Sequence, residues 1–454
     1  MSFTRWSFLF AVALSIGAAF GCTGKGPRAA VDVPSQVSEP GGAGPVVDPV
    51  AKTEPAPTFV TEPDVTQPRP IAPFVEKALT WLVEAQHPDG GWGAGSHANQ
   101  QERNPSQVAT DPATTAFTAM ALLRAGHTPT AGDYRGAVRR ATEYLVSAIE
   151  RAPEVGPKIT DLEGTQPQSK LGQIVDTSMA ANFLAKVLPL YPDADALRPR
   201  VSAALDKCLA KLQGSQKTDG SWTTSGWATV LQSSMSCSAL EFAQVAGKQV
   251  DAEALTKARD FQKGNFDRAT GAVKADTAAG VDLYAFAASQ RATAGEARAA
   301  DEVIAAAKSA GTLDASATVT EDNLVKAGMS APQASTLNRA FEMNGAQIAG
   351  MNNEQLLSGF GNNGGEEYLS HMMTSESLVI TGGEPWQLWN DKMHERLAKV
   401  QSPDGSWTGH HCITSPVFCT AAAVQCLTAD REARLLAQVA LAAATPAAAA
   451  TVAK

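Results

Sequence analysis

The chain has 454 residues, a formal charge of −9 and no basic run, which disfavours nucleic acid as a partner. Aromatic residues make up only 6% of it, too few to argue for a cavity that stabilises a carbocation. The length fits one large domain or two ordinary ones.

From the N-terminus, Arg5 precedes an apolar run over residues 7–20, which has the length of a signal peptide and is too short to span a membrane. Ala19, Phe20, Gly21 and Cys22 resemble a bacterial lipoprotein processing site, although Ala19 stands where Leu is preferred. That resemblance implies removal of residues 1–21, lipidation of Cys22, and a membrane as partner through the lipid. Ala19 and Gly21 also satisfy ordinary signal peptidase, which would leave a secreted protein with a free thiol. Residues 22–70 are rich in Pro, Gly, Val and Glu, a composition that cannot bury enough surface to fold. They read as a disordered tether holding a folded body at the cell envelope.

Beyond residue 70, apolar periodicity and punctuation predict helices near 72–86, 112–126, 132–150, 172–190, 196–213, 226–246, 251–263, 277–291, 295–309, 364–381, 385–401, 415–428 and 430–443. Stretches such as 114–123, 177–188 and 419–427 are apolar and Ala-rich nearly all round, as buried inner helices should be. Those at 132–150 and 196–213 carry charge on one face and fit an outer layer. Residues 310–363 break the rhythm and read as an irregular insertion, while 431–454 read as a terminal helix with an Ala-rich tail.

One phrase recurs through these helices. Gln86, Asp89, Gly90 and Trp92 share their spacing with Gln216, Asp219, Gly220 and Trp222, and with Gln401, Asp404, Gly405 and Trp407. Each copy ends one helix and precedes a small-residue one. Asp-Gly makes the turn, the Gln amide bonds freed backbone groups, and the Trp covers the joint. A faded fourth copy runs from Phe261 and Gln262 to Val273, without the Trp. Repeats of this kind mark one supersecondary unit used several times.

The phrase resembles the QW repeat of the prenyltransferase and squalene-cyclase superfamily, and Trp81 and Leu82 extend the first copy upstream as that family does. The resemblance implies an all-α fold, an α/α toroid of about six helical hairpins over residues 71–430, with the QW residues as structural staples. It implies less about chemistry. Asp111, Thr115 and Ala116 match parts of the acidic motif of the family's cyclases, but Ala113 and Thr114 occupy its two following acidic positions, which argues against alkene protonation. Cys237 and Cys419 fall where the protein prenyltransferases have zinc ligands or their neighbours, with Met235 in place of an Asp.

The best local cluster is C-terminal. Glu367 and His371 stand at i, i+4 on one helix, and His410, His411 and Cys412 follow the third repeat. In a toroid these segments neighbour each other at a cavity mouth. Glu367, His371 and His411 are therefore the candidate catalytic residues, and His371, His411 and Cys412 the candidate zinc ligands, with a thiolate at Cys412 favoured by helix dipoles. The competing reading is an ion pair and a polar loop. Two functions follow: an envelope protein that binds an apolar or peptide ligand in a central cavity, or an enzyme using the rim. Cys208 and Cys237 could pair as a disulfide, or pack as small apolar groups like Cys426.

Overall fold

A computed structural model describes residues 67–223 and 225–444. The signal peptide, Cys22, the tether up to residue 66 and the tail from 445 lie outside the described residues. In chain order the helices are α1 (Pro73–Glu84), α2 (Pro112–Arg124), α3 (Arg135–Arg151), α4 (Gln166–Lys170), α5 (Val175–Val187), α6 (Leu197–Gly214), α7 (Thr229–Val245) and α8 (Ala252–Lys263). They continue as α9 (Asp282–Ser309), α10 (Glu321–Lys326), α11 (Ala331–Gly350), α12 (Glu354–Leu357), α13 (Gly365–Thr381), α14 (Gly383–Val400), α15 (Pro416–Leu427) and α16 (Ala433–Ala444). Among the described residues there is no named strand, only three isolated bridges.

Six helices form a closed inner ring in which each packs on the next: α2, α5, α7, α9, α13, α15 and back to α2. Outside them stand α1, α3, α6, α8, α11 and α14, giving six outer–inner pairs and the α/α toroid anticipated from the repeats. The inner helices are lined by Ala, Ser, Thr and Cys, small enough for backbones to approach on both flanks. All of α5 and all of α15 are buried. Their starts are set by local chemistry: Asp111 caps α2 through the Thr114 N–H and Ser415 caps α15 through that of Phe418, each followed by Pro at the first position.

The three QW phrases act alike. The Trp92, Trp222 and Trp407 indoles donate to the carbonyls of Leu82, Leu212 and Leu397 at 2.7, 2.9 and 2.9 Å. Their backbone N–H groups donate to hydroxyls on the following inner helix, Thr115, Ser233 and Thr420, at 2.9, 3.0 and 2.9 Å. Each Gln closes its own turn, bonding Gly90, Gly220 or Gly405, and also reaches another outer helix at Ala137, Ala254 or Phe74. Those three glycines have φ of 90°, 86° and 103°, so the turn requires them. The faded copy keeps a turn bridged at Phe266 and Val273, but both polar atoms of Gln262 are buried without a partner.

Three expectations need correction. The helices expected at 277–291 and 295–309 are one 28-residue helix, α9. The insertion at 310–363 is largely helical, since Ser330 and Gln333 form a capping box that starts the 20-residue α11. The last residues assigned to the tether are held by the body: the Arg69 N–H donates to Asp430 at 2.8 Å and its guanidinium to Asn390 at 2.8 Å.

Candidate functional site

Hydrogen bonds between the first turns of the inner helices show that their N-terminal ends meet at one rim. The Ala113 N–H of α2 donates to Asp176 of α5 at 3.0 Å, and Tyr284 of α9 donates to Glu367 Oε1 of α13 at 2.5 Å. Ile413, just before α15, donates its N–H to Glu366 Oε2 at 3.1 Å. The Phe360 N–H also donates to Glu367 Oε1, at 2.9 Å. His411 Nε2 stands 3.9 Å from Glu367 Oε2. A Cβ on Gly364 would come within 2.4 Å of that same oxygen and 2.6 Å of the His411 ring, so only glycine fits between them.

Glu366, Glu367 and Cys412 therefore sit together with His411. Burial and the neighbouring Glu367 push the Glu366 carboxyl up to about 8, so it holds a proton at neutral pH. The expected Cys412 thiolate is not favoured. Burial and the adjacent Glu366, which its thiol hydrogen-bonds, push Cys412 up to about 12, outweighing any helix dipole. Cys412 also has a φ of 59°, unusual for a residue with a Cβ. Above this group lie exposed aromatics: Phe360 stands edge-on to the Trp227 ring at 5.3 Å and to the His411 ring at 5.2 Å, and the Lys170 ammonium lies 4.6 Å over Trp227. Four buried polar atoms here make no hydrogen bond within the protein: Glu366 Oε1, Glu367 Oε2 and both His411 nitrogens, although His411 Nε2 and Glu367 Oε2 face each other at 3.9 Å.

His371 does not join them. Its Nε2 lies 3.1 Å from the Leu357 carbonyl, and its ring is edge-on to Trp389 of α14 at 5.9 Å. Burial lowers it to about 3, so it stays neutral. The candidate catalytic trio thus resolves into a Glu367–His411 pair plus a histidine that pins the loop from Asn353 to Gly364. The candidate metal set of His371, His411 and Cys412 does not converge. Among the described residues no group of three His, Cys, Asp or Glu is placed to hold a metal ion.

Asp111, where the cyclase-like motif begins, accepts the N–H groups of Thr114 and Ala94 at 2.7 and 2.8 Å. Burial lifts it to about 6 and Asp176 to about 7, the latter helped by Asp111. Both are occupied by backbone donors, and Thr115 serves the Trp92 staple. Cys208, Cys237, Cys412, Cys419 and Cys426 are all buried and free, so the Cys208–Cys237 disulfide is not formed and Cys237 and Cys419 pack in the core.

At the opposite, C-terminal end of the inner ring lies a buried ionic network absent from the sequence reading. Arg124 pairs with Glu376 and Glu432, Lys186 with Glu432, and Arg291 with Glu376 and Glu241. Glu241 also pairs with Arg259 at 2.9 Å. The signal was available: single charges inside all-round apolar helices are retained only when paired. With this network at one end and the inner helices buried on nearly every face, the expected central ligand cavity is not seen among the described residues. The physical reason is that the small inner side chains let the helices close in.

The family model of the squalene-hopene cyclase C-terminal domain matches residues 64–155, the stretch holding α1, the first staple, α2 and α3. It supports the likeness to the prenyltransferase and squalene-cyclase superfamily carried by the repeats. No curated protein matches the chain. Among solved structures, a variant of the type II terpene cyclase MstE from Scytonema, in complex with the product merosterolic acid A, is 13% identical. The match covers 80% of this chain and 96% of that one with a TM-score of 0.30, too loose a superposition to bear on the chemistry.

Proposed function

We propose that this is a cell-envelope protein, tethered through a lipid on Cys22, whose toroidal body binds an apolar or peptide ligand at the rim where the inner helices begin. The observation that carries the reading is the group of four polar atoms on Glu366, Glu367 and His411 that make no hydrogen bond, beneath the exposed rings of Trp227 and Phe360. Buried polar atoms are normally paired, and a cluster of exceptions beside aromatic surface is what a recognition site requires. The apolar part of the ligand would lie on the rings and its polar group on the carboxyls and imidazole. The ring interior takes no part.

Fluorescence polarisation with a panel of labelled apolar peptides tests the rim. Saturable binding should be lost on Trp227→Ala or Phe360→Ala, both exposed, at unchanged thermal midpoint. Peptides that bind equally well to both variants would overturn the rim assignment, as would a panel with no binder. Metabolic labelling with a fatty-acid analogue tests the tether: label should be present in the native chain and absent from Cys22→Ser.

A second reading is favoured by one specific asymmetry. Glu366 is neutral at pH 7, while its neighbour Glu367 accepts from both Tyr284 and the Phe360 N–H on one oxygen. Adjacent carboxyls in unlike environments suit an acid and a base. In that case Glu366 would donate a proton and His411 accept one. Turnover lost in both Glu366→Gln and His411→Ala, at retained ligand binding, would select this reading over simple binding.

A further inference from the structure

The ring has an unstapled joint where α8 and α11 flank α9. Here the fourth repeat has no Trp, and the Gln262 side-chain amide bonds nothing. A cavity of about 330 Å3 opens between these helices and the end of α16, within the size range of small-ligand sites. A second hollow of about 670 Å3 adjoins it, and Glu296 and Thr336 line both. The walls of the first are largely apolar, with Leu255, Met329, Leu337 and Ala442.

Two charged residues of this cavity are more than nine-tenths buried: Arg259, 9% exposed, and Glu296, 8% exposed. Each is paired once. Arg259 Nε donates to Glu241 at 2.9 Å, and Lys263 donates to Glu296 Oε1 at 2.6 Å. Each also keeps one buried polar atom without a partner, Nη2 of Arg259 and Oε2 of Glu296. Each charge thus already faces an opposite one, Arg259 sharing Glu241 with Arg291 and Glu296 meeting Lys263, and what remains is a capacity for one accepted and one donated hydrogen bond. A neutral amide supplies both, its carbonyl accepting from Arg259 and its N–H donating to Glu296, whereas an ion would upset two existing pairs.

We propose that the α8–α9–α11 cavity is a binding site, separate from the rim, for a neutral amide carried on an apolar body, the amide reading Arg259 and Glu296 and the apolar part lying on Leu255, Met329 and Leu337. Such a group comes from an apolar peptide segment or from a small free amide. Loss of the staple is what leaves the joint open for it.

Calorimetric titration of the full chain with N-acetyl-leucinamide, with an acetylated and amidated Ala-Leu-Ala tripeptide, and with free leucine tests the proposal. The two amides should bind saturably and free leucine should not. A tighter tripeptide identifies a peptide ligand, and equal affinities a small amide. Thr336→Trp, an exposed residue at the cavity edge, should abolish binding at unchanged thermal midpoint. Glu296→Gln, checked for native circular dichroism, should weaken it roughly tenfold. The Trp227→Ala rim variant should bind the amides as the parent does. The proposal is overturned if neither amide saturates, if leucine binds more tightly, or if Thr336→Trp and Glu296→Gln leave binding intact. Amide binding lost in Trp227→Ala but kept in Thr336→Trp would place it at the rim and overturn it equally.

Discussion

The side-chain amide of Gln401 donates to the backbone carbonyl of Phe74 at 2.8 Å, joining two residues 327 positions apart. The same atom bonds Gly405, 2.8 Å away, within its own turn. One side chain thereby closes a local turn and the whole ring, fixing α14 against α1. Equivalent bonds from Gln86 and Gln216 couple α1 to α3 and α6 to α8.

Removing the closing staple should be costly. Trp407 is fully buried, so Trp407→Ala is expected to lose on the order of 3–5 kcal/mol in chemical denaturation. Trp92→Ala and Trp222→Ala should fall in the same range. Ligand affinity per folded molecule should not change, since the three indoles are buried and bonded to Leu82, Leu212 and Leu397 rather than to the rim rings, and a stable Trp407→Ala that no longer binds ligand would contradict the structural role.

Glu366 makes stability depend on pH in a defined direction. Its folded value, about 8, lies above the 4.5 of an unperturbed Glu, so between those values the native state holds a proton that the unfolded chain has released. Its contribution to stability is full below about 4.5 and is lost as pH rises through about 8. Thermal midpoints of the native chain should decline over that window relative to Glu366→Gln. Parallel profiles for the two would show that Glu366 is not the protonated group.

The buried network should behave unlike surface pairs. Glu432→Ala strands Lys186 and Arg124 with one counter-charge fewer and should cost about 3–5 kcal/mol. Glu150→Ala, which breaks an exposed pair with Arg200, should cost about 0–1 kcal/mol. Urea melts of both variants make the comparison; similar midpoints would remove the network from the account of stability.

Native thiols should be inert. Burial pushes Cys208, Cys237, Cys412 and Cys426 up to about 12. Iodoacetamide at pH 8, followed by mass spectrometry, should leave these four and Cys419 unmodified until denaturant is added. Rapid alkylation of Cys412 in the folded protein would restore the thiolate expected there from the helix dipoles.

Much of the architecture was legible in the sequence because the staples are local: Gln, Asp-Gly and Trp act over seven residues, and their partners are neighbouring helices. Helix α9 reads in the sequence as two, at 277–291 and 295–309, yet it runs unbroken through Gly295. In the fold that glycine is a close approach, since a Cβ there would come within 3.0 Å of Ala440. The capping box of Ser330 and Gln333 that starts the long α11 is a local cue, although the insertion around it breaks the helical rhythm. The rim was half legible. Spacing at i, i+4 places Glu367 and His371 on successive turns but says nothing about which flank each faces. In a ring helix both flanks are occupied, so Glu367 meets Tyr284 of α9 while His371 meets Leu357 and Trp389. The ionic network and the cavity at α8 and α11 depend on contacts between distant segments, beyond the reach of any local pattern.

The two ends of the inner ring also respond differently to protons. Asp111, Asp176 and Glu366, gathered near the helix starts, sit at about 6, about 7 and about 8, whereas the Glu376 carboxylate at the far end is held at about 2 by Arg124 and Arg291. A change from mildly acidic to mildly basic surroundings therefore adds negative charge at one end only. The molecule's electric dipole moment becomes a function of pH, and so does the orientation this body prefers in an electric field.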